Sequence, residues 1–292
     1  RAAGCGAHIV TSAVEHAAVR ETCRYLERCG FAVTEVPVDG EGRVDPAAVE
    51  KALRADTALV SIMAANNEVG TIQPIAEIGA VLRARGIPFH TDAVQAAGHM
   101  VLDVDELNVD ALSFSAHKFC GPKGIGVLYL RRGTKCTPFL HGGAQERNSR
   151  AGTENTAAIV GCGRAAEIAR AEMDAEDERM RAYTQLLRAK LAAVDGIAFH
   201  GAQDKRLAGI LNFSIRGRTQ DVLLIRLDLA GFAVSAGSAC SAGAAHPSHV
   251  LTAMGLSPEE AKCAVRVSLG RFTERSEVLA FAETILAIAG QC

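Results

Sequence analysis

The first half of the chain alternates short apolar runs with segments of helical periodicity, and this alternation constrains the fold more than any other feature. The apolar runs have the length of buried β-strands, and turn residues bound them. The predicted strands are 8–12, 31–38, 59–64, 87–91, 111–115 and 125–130, with predicted helices at 17–28, 46–54 and 74–85. Such alternation predicts an α/β fold with a mainly parallel sheet covered by helices.

The second half is organised differently. A helical pattern over residues 155–194 follows the predicted sheet, and its middle is highly charged. Beyond it we predict strands at 210–215, 232–234 and 265–268 and helices at 221–229, 258–264 and 274–289. We therefore expect a large domain over residues 1–172 and a smaller α+β domain over residues 173–292.

An acid and an amine lie directly after predicted strands. Asp92 follows the run 87–91, and Lys118 comes twenty-six residues later, in a Ser-Ala-His-Lys segment. Ligands bind at the carboxyl ends of parallel strands, so we expect both side chains at one site, together with Asn67. Pyridoxal 5'-phosphate (PLP) needs a lysine for its Schiff base and an acid that keeps its ring nitrogen protonated. Alone, Lys118 is typical of a surface lysine and Asp92 of a helix N-cap; together they predict a PLP site with Lys118 partly buried.

Polar side chains near this pair supply further donors. Gln95 follows Asp92 by three residues, where its amide can donate to the phenolic oxygen of PLP. Ser115, His117 and Thr153 offer hydroxyl and imidazole groups for a phosphate, and Thr153 lies at the mouth of the long predicted helix, where phosphate is attracted. Each of these residue types is also common in ordinary surface turns.

One cysteine has the surroundings of a nucleophile. Serine, alanine and glycine fill positions 235–245 on both sides of Cys240. This composition is typical of an exposed loop, where a thiol can form the attacking thiolate. Cys120, beside a Gly-Pro turn, is predicted to pack instead. The nine cysteines are scattered and never spaced as CxxC, which argues against disulfides and a zinc site and favours a reducing cytoplasm.

One arginine interrupts the apolar alternation of the predicted strand 265–268. Such a charge either points outward or grips a substrate carboxylate in a bidentate pair, and Arg266 is the candidate for the second role. Arg271 competes with it and is expected to be structural.

Composition and motifs exclude several partner classes. A net charge of −2 gives no electrostatic reason to bind nucleic acid or an anionic membrane, and the longest apolar runs are too short to cross a bilayer. No GxGxxG or GxxxxGK[ST] run occurs, which argues against a nucleotide-binding module.

Taken in order, these motifs resemble those of PLP-dependent cysteine desulfurases of the NifS/IscS type, in the class V aminotransferase family. The resemblance covers essentially the whole chain and implies a type I PLP-dependent transferase fold, like that of aspartate aminotransferase. Its carriers are Val-Glu-His at 14–16, Ala-Asn-Asn-Glu-Val-Gly at 65–70, His-Thr-Asp-Ala-Val-Gln at 90–95, Ser-Ala-His-Lys at 115–118, Arg-Ala-Gly-Thr-Glu-Asn at 150–155, Gly-Ser-Ala-Cys at 237–240 and Pro-Ser-His-Val at 247–250.

The resemblance implies how the chain would hold its cofactor. Lys118 would form the Schiff base, Asp92 would pair with the ring nitrogen, and Gln95 would contact the phenolic oxygen. The other cofactor contacts that it implies are Asn67, the phosphate ligands Ser115 and His117, and Thr153, which would reach the phosphate of the partner subunit in a homodimer.

The implied activity converts L-cysteine to L-alanine and leaves the sulfur as a persulfide on Cys240. Lys118 would move the Cα proton, His16 would stack on the ring and relay protons, and Asn67 and Arg266 would hold the substrate carboxylate. A sulfur-acceptor or iron–sulfur scaffold protein would then receive the sulfur. His16 alone, at the start of a predicted helix, is typical of a surface histidine.

Two departures from the family are visible. Members normally begin with a further segment that carries a Gly-Thr-Glu-type phosphate loop, so we expect an N-terminal part of the large domain to be missing here. The second departure is in the loop around Cys240, which has Ala236, Ser241 and Ala242 where the family usually has serine, threonine and serine. We expect the packing of this loop to differ and its chemistry to be unchanged. Selenocysteine lyase activity and an inactive, partner-binding fragment remain alternatives.

Overall fold

The computed structural model describes residues 6–237 and 247–290. Its first sheet contains the strands β1 (His8–Ser12), β2 (Ala32–Val36), β3 (Thr57–Ser61), β4 (Phe89–Asp92), β5 (Ala111–Ser115) and β6 (Gly126–Leu130). Their spatial order is β2-β1-β3-β4-β5-β6, and every neighbouring pair is parallel except β5 and β6. This arrangement confirms the predicted α/β class with its mainly parallel sheet.

Three helices connect the parallel strands: α1 (Ala17–Arg28), α2 (Pro46–Ala52) and α3 (Ile75–Ala84). As the sequence predicts, α2 begins at an Asp45 N-cap, whose carboxylate accepts from the Ala47 amide, followed by proline at the first helical position. The helices and strands share one apolar core, in which Val60 and Phe89 of the sheet pack with Ile78 and Leu82 of α3.

The second half contains a short turn, α4 (Gln145–Asn148), and the long helix α5 (Thr156–Leu191). Beyond α5, the strands β7 (Ile197–His200), β8 (Ile210–Ile215) and β9 (Ala264–Ser268) form an antiparallel sheet in that order. The remaining helices are α6 (Gln220–Leu229), α7 (His249–Ala253), α8 (Pro258–Ala261) and α9 (Arg275–Gly290). Leu187 and Leu191 of α5 pack with Phe213 of β8 and Phe281 of α9 in a second core.

The structure corrects two details of the predicted elements. Residues 232–234 are not a strand; instead, Ser235 and Arg266 form an isolated bridge with backbone hydrogen bonds of 3.1 and 2.7 Å. The strand predicted at 59–64 spans Thr57–Ser61 instead. The buried residues after Ser61 leave the regular strand, although the amides of Ile62 and Ala64 still donate to carbonyls of β4. The boundary near residue 172 falls inside α5 and stays a prediction.

None of the helices in residues 6–237 and 247–290 combines the length and apolar character that a membrane span requires. The six cysteines in the same part of the chain are all free thiols.

Two helical glycines give a matched test of the packing. A Cβ on Gly79 of α3 would lie 2.3 Å from the Leu107 carbonyl oxygen, whereas a Cβ on Gly163 of α5 would meet nothing within 4 Å. We expect Gly79→Ala to lower the free energy of unfolding by about 2 kcal/mol, because backbone must move. We expect Gly163→Ala to raise it by up to about 1 kcal/mol through helix propensity. Urea unfolding of both variants checks this, and a stabilised Gly79→Ala would contradict the packing.

Candidate active site

A cavity of about 330 Å³ brings together four of the residues selected from the sequence. Asn67 reaches it from the loop after β3, Gln95 from the turn after β4, Lys118 from the turn after β5, and Arg266 from β9. The first three follow neighbouring strands of the parallel sheet, at the carboxyl edge where ligands are expected. The cavity therefore lies where the two sheets meet.

Asp92 is the last residue of β4 and is buried, with 7% of its surface exposed. Its Oδ1 accepts a hydrogen bond from the Val94 amide at 2.9 Å, so the N-cap alternative also describes part of its role. Within the described residues, Asp92 forms none of the ion pairs with lysine, arginine or histidine. A buried carboxylate without a basic partner fits a ligand that brings its own positive charge, as a protonated pyridine ring does.

Lys118 lies on a single 3-10 turn, Ala116–Phe119, directly after β5. Ala116 and Phe119 are buried and hold the turn against the protein, whereas His117 and Lys118 are exposed. The expectation of a partly buried Lys118 is therefore wrong for this chain, because the side chain faces an open cavity. The Lys118 carbonyl accepts from the His99 ring at 3.1 Å, which ties the turn to the segment that follows Asp92.

Cys120 is exposed and lines the same cavity, so the prediction that it packs is wrong. It ends the 3-10 turn in the left-handed region, with φ of 64°. The thiol is therefore accessible in the cavity that Lys118 also lines.

The two residues proposed to hold a substrate carboxylate are in direct contact. Arg266 Nη1 donates to the Asn67 carbonyl oxygen at 2.9 Å, although the residues are 199 positions apart. Asn66 fixes the loop itself: its side-chain oxygen accepts from the amides of Glu68 and Val69, and its Nδ2 donates to the Val14 carbonyl. A guanidinium is therefore held at the cavity by a rigid loop, as carboxylate binding requires.

The remaining candidates are not among the residues that line the cavity. His16 caps α1, and its Nδ1 accepts from the Ala18 amide at 3.2 Å. Ser115 ends β5 and His117 precedes Lys118, while Thr153 is exposed just before α5. Cys240 lies outside the described residues.

Arg271 is ion-paired with Glu172 of α5. This pair agrees with the structural role expected for Arg271, although its side chain also lines the cavity.

Sequence reasoning missed two buried carboxyl groups beside the site. Glu15 is fully buried next to His16; Ser12 Oγ and the Met63 amide donate to its Oε1 at 2.6 and 2.8 Å. Burial raises the pKa of Glu15 to about 8. The signal available was an acidic residue directly after the apolar pair Ala13-Val14.

Glu68, directly after Asn67, is 1% exposed. Burial raises its pKa, opposed by the Ser248 hydroxyl and by the charge of Arg266.

Comparisons with known proteins match most of the chain. The model of the family described as Aminotransferase class-V matches residues 1–281. "Cysteine desulfurase IscS" of Dictyoglomus turgidum is 50% identical over 274 residues, which cover 94% of this chain and 70% of that protein. The protein of the same name from Methanosarcina thermophila is 48% identical, over 94% of this chain and 68% of its own length. A solved structure titled "NIFS-LIKE PROTEIN" superposes with a TM-score of 0.91 at 38% identity, covering 98% of this chain and 76% of that one.

Proposed function

The chain belongs to the aminotransferase class-V family, and we propose that it is a PLP-dependent cysteine desulfurase that converts L-cysteine to L-alanine. The observation that carries the proposal is the Arg266–Asn67 contact at the cavity that Lys118 also lines. This arrangement offers a carboxylate-binding cation and an amine to one amino-acid substrate. Relatives named cysteine desulfurase supply the reaction class.

The residues present fit the cofactor. Lys118 would attach PLP, buried Asp92 would pair with its ring nitrogen, and Gln95 would donate to its phenolic oxygen. The further contacts that we propose are His16 stacked on the ring, Asn67 beside it, Ser115 and His117 at the phosphate, and Thr153 at the phosphate of the partner subunit. Bound PLP supplies a positively charged ring that withdraws electrons from the substrate Cα.

Lys118 and Arg266 have separate roles in the steps before sulfur transfer. The Arg266 guanidinium binds the L-cysteine carboxylate, and Asn67 holds Arg266 in place, so the substrate has one orientation in the cavity. Lys118 Nζ then accepts the Cα proton as the general base. His16 relays protons near the ring.

The sulfur leaves by attack of the Cys240 thiolate on the substrate sulfur. A sulfur–sulfur bond forms as the Cβ–S bond breaks, and the electron pair passes to the substrate carbon. That carbon takes protons and departs as L-alanine, which leaves a persulfide on Cys240. A sulfur-acceptor protein, such as an iron–sulfur scaffold, or a small thiol then removes the terminal sulfur.

We propose a homodimer. Large apolar side chains are exposed on the segments that precede and follow Thr153 in the chain: Leu128 on β6, Phe139 on the loop after it, and Val160 of α5 are 54%, 93% and 66% exposed. A second copy that covers these side chains would bury them, and the proposed role of Thr153 across subunits requires such a second copy.

We also propose that the small domain begins near residue 173, because Leu187 and Leu191, the α5 residues in the second core, lie after that point. The six free thiols suit a reducing cytoplasm.

The proposal predicts a coloured protein with a defined stoichiometry. After incubation with PLP, we expect the purified chain to be yellow and to release alanine and sulfide in equal amounts from L-cysteine in excess dithiothreitol. Faster turnover of selenocysteine would favour a selenocysteine lyase. A colourless protein that releases neither product would contradict the proposal and favour a partner-binding fragment.

A further inference from the structure

The Pro-Ser-His-Val segment at 247–250 has no role in the reaction as described, yet it holds two contacts with the first sheet's loops. Ser248 caps α7, and its Oγ accepts from the Leu251 amide at 3.2 Å. The same hydroxyl donates to Glu68 Oε2 at 2.5 Å, 180 positions away. His249 Nε2 donates to the Glu15 carbonyl oxygen at 3.0 Å. Both partners are next to proposed site residues, since Glu68 follows Asn67 and Glu15 precedes His16.

The Glu68 carboxylate is close to described residues on either side of the segment that contains Cys240. On one side it accepts from Ser248. On the other side is Gly237, whose φ is +54° and where an added Cβ would lie 3.0 Å from Glu68 Oε2. The Glu68 carbonyl in turn accepts from Asn212 Nδ2 of β8 at 3.2 Å. Glu68 is therefore fixed by the second sheet, hydrogen-bonded to Ser248 after residues 238–246, and close to Gly237 before them.

We propose that Ser248, held by Glu68, is a positioning residue for the sulfur-transfer step. The inference rests on the proposed function and deepens it. Ser248 follows Cys240 by eight residues, and its bond to Glu68 fixes that end of the segment one residue from Asn67. The buried Glu68 thus follows Asn67 of the substrate carboxylate site and also binds Ser248, near the end of the segment that contains Cys240.

The expected effect is specific to one step. Misplacing a reacting group by about 1 Å lowers a rate by about a hundredfold, because the attack geometry is lost. Substrate binding depends on Arg266 and Asn67, whose contact does not use Ser248. Removing the hydroxyl should therefore slow sulfur transfer and leave substrate binding intact.

A second serine provides the matched control. Ser257 caps α8 as Ser248 caps α7, and the Glu260 amide donates to its Oγ at 3.2 Å. Its carboxylate partner, however, is Glu260 of its own exposed capping box. Ser257→Ala therefore removes a cap alone, whereas Ser248→Ala removes a cap and the bond to buried Glu68.

The experiment uses the PLP-loaded wild type, Ser248→Ala, Ser248→Thr and Ser257→Ala. We expect Ser248→Ala to lower kcat by about tenfold to a hundredfold, with KM for L-cysteine and the substrate-induced absorbance change of PLP unchanged. Persulfide on Cys240, measured by mass spectrometry after a single turnover, should form more slowly by the same factor. Ser248→Thr keeps the hydroxyl and should restore the rate, and Ser257→Ala should match the wild type.

Equal losses in Ser248→Ala and Ser257→Ala would overturn the inference, because capping alone would explain them. A rise in KM in proportion to the fall in kcat, or no rescue by threonine, would overturn it as well. These outcomes leave the proposed function standing if the wild type releases alanine and sulfide. A wild type that forms neither product would instead overturn the proposed function, and the inference with it.

Discussion

Replacing Cys240 with alanine is expected to lower the rates of persulfide, sulfide and alanine formation by at least about a thousandfold, because the proposed mechanism uses its thiolate to take the sulfur. The steps before sulfur transfer use Lys118, Asn67 and Arg266. We therefore expect the variant to bind PLP and to show the absorbance change that L-cysteine causes in the wild type. Single-turnover absorbance and mass spectrometry on the same samples separate the two parts of the reaction.

Cys120 provides the control for the Cys240 substitution. Its thiol is exposed and lines the cavity of Lys118, so it is a rival nucleophile by position. We expect Cys120→Ala to retain wild-type turnover within about twofold, as ordinary substitutions outside the chemistry do. Loss of the persulfide in Cys120→Ala, with its survival in Cys240→Ala, would reverse the assignment of the nucleophile.

The strands and helices that were predicted well are those whose ends carry local signals. β1 and α1 have the predicted bounds, and the local signals are Gly6 shortly before β1 and Gly30 shortly after α1. The strand predicted at 59–64 was displaced because residues 62–65 are as buried as the strand before them. Apolar character reports burial, and the amides of Ile62 and Ala64 still donate to carbonyls of β4, so the sequence contains no local signal for the end of this strand.

The site residues also differ in whether a local sequence signal predicts them. Asp92 and Lys118 are detectable because each follows a strand and the sheet brings strand ends together. Glu68 and Ser248 are not detectable, since their bond joins residues 180 positions apart. The exposure of Lys118 and Cys120 depends on the tertiary surroundings of a single 3-10 turn. The local sequence pattern does not predict those surroundings. The roles of the site residues stay predictions until the variants are measured.

Glu15 should make the stability of the protein depend on pH. Its carboxyl group is fully buried; Oε1 accepts two hydrogen bonds, while Oε2 has no hydrogen-bond partner among the described residues. Burial is the main cause that raises its pKa from 4.5 to about 8, and the nearby carboxylates of Asp92 on β4 and Glu35 on β2 add to it. The folded chain therefore keeps a proton that the unfolded chain releases.

The sign of this pH dependence follows from the number of protons bound in the folded and unfolded states. Between pH 4.5 and 8 the folded state holds more protons than the unfolded state, so the free energy of unfolding falls as pH rises through this window. The full loss is on the order of 5 kcal/mol, because each pKa unit corresponds to about 1.4 kcal/mol. Below pH 4.5 the penalty is absent, and above pH 8 it is complete.

Glu15→Gln should remove this dependence, because the amide cannot ionise and its oxygen can still accept from Ser12 and Met63. We expect the variant to gain several kcal/mol of stability relative to the wild type between pH 5 and pH 9, measured by urea unfolding at intervals across that range. Histidines such as His249 titrate in both proteins, so the difference isolates Glu15. Glu283→Gln makes the same change at an exposed position of α9 and should follow the wild-type curve within about 0.5 kcal/mol. Parallel curves for Glu15→Gln and the wild type would mean that Glu15 is ionised in the folded protein, and the assignment of a neutral carboxyl beside His16 would be wrong.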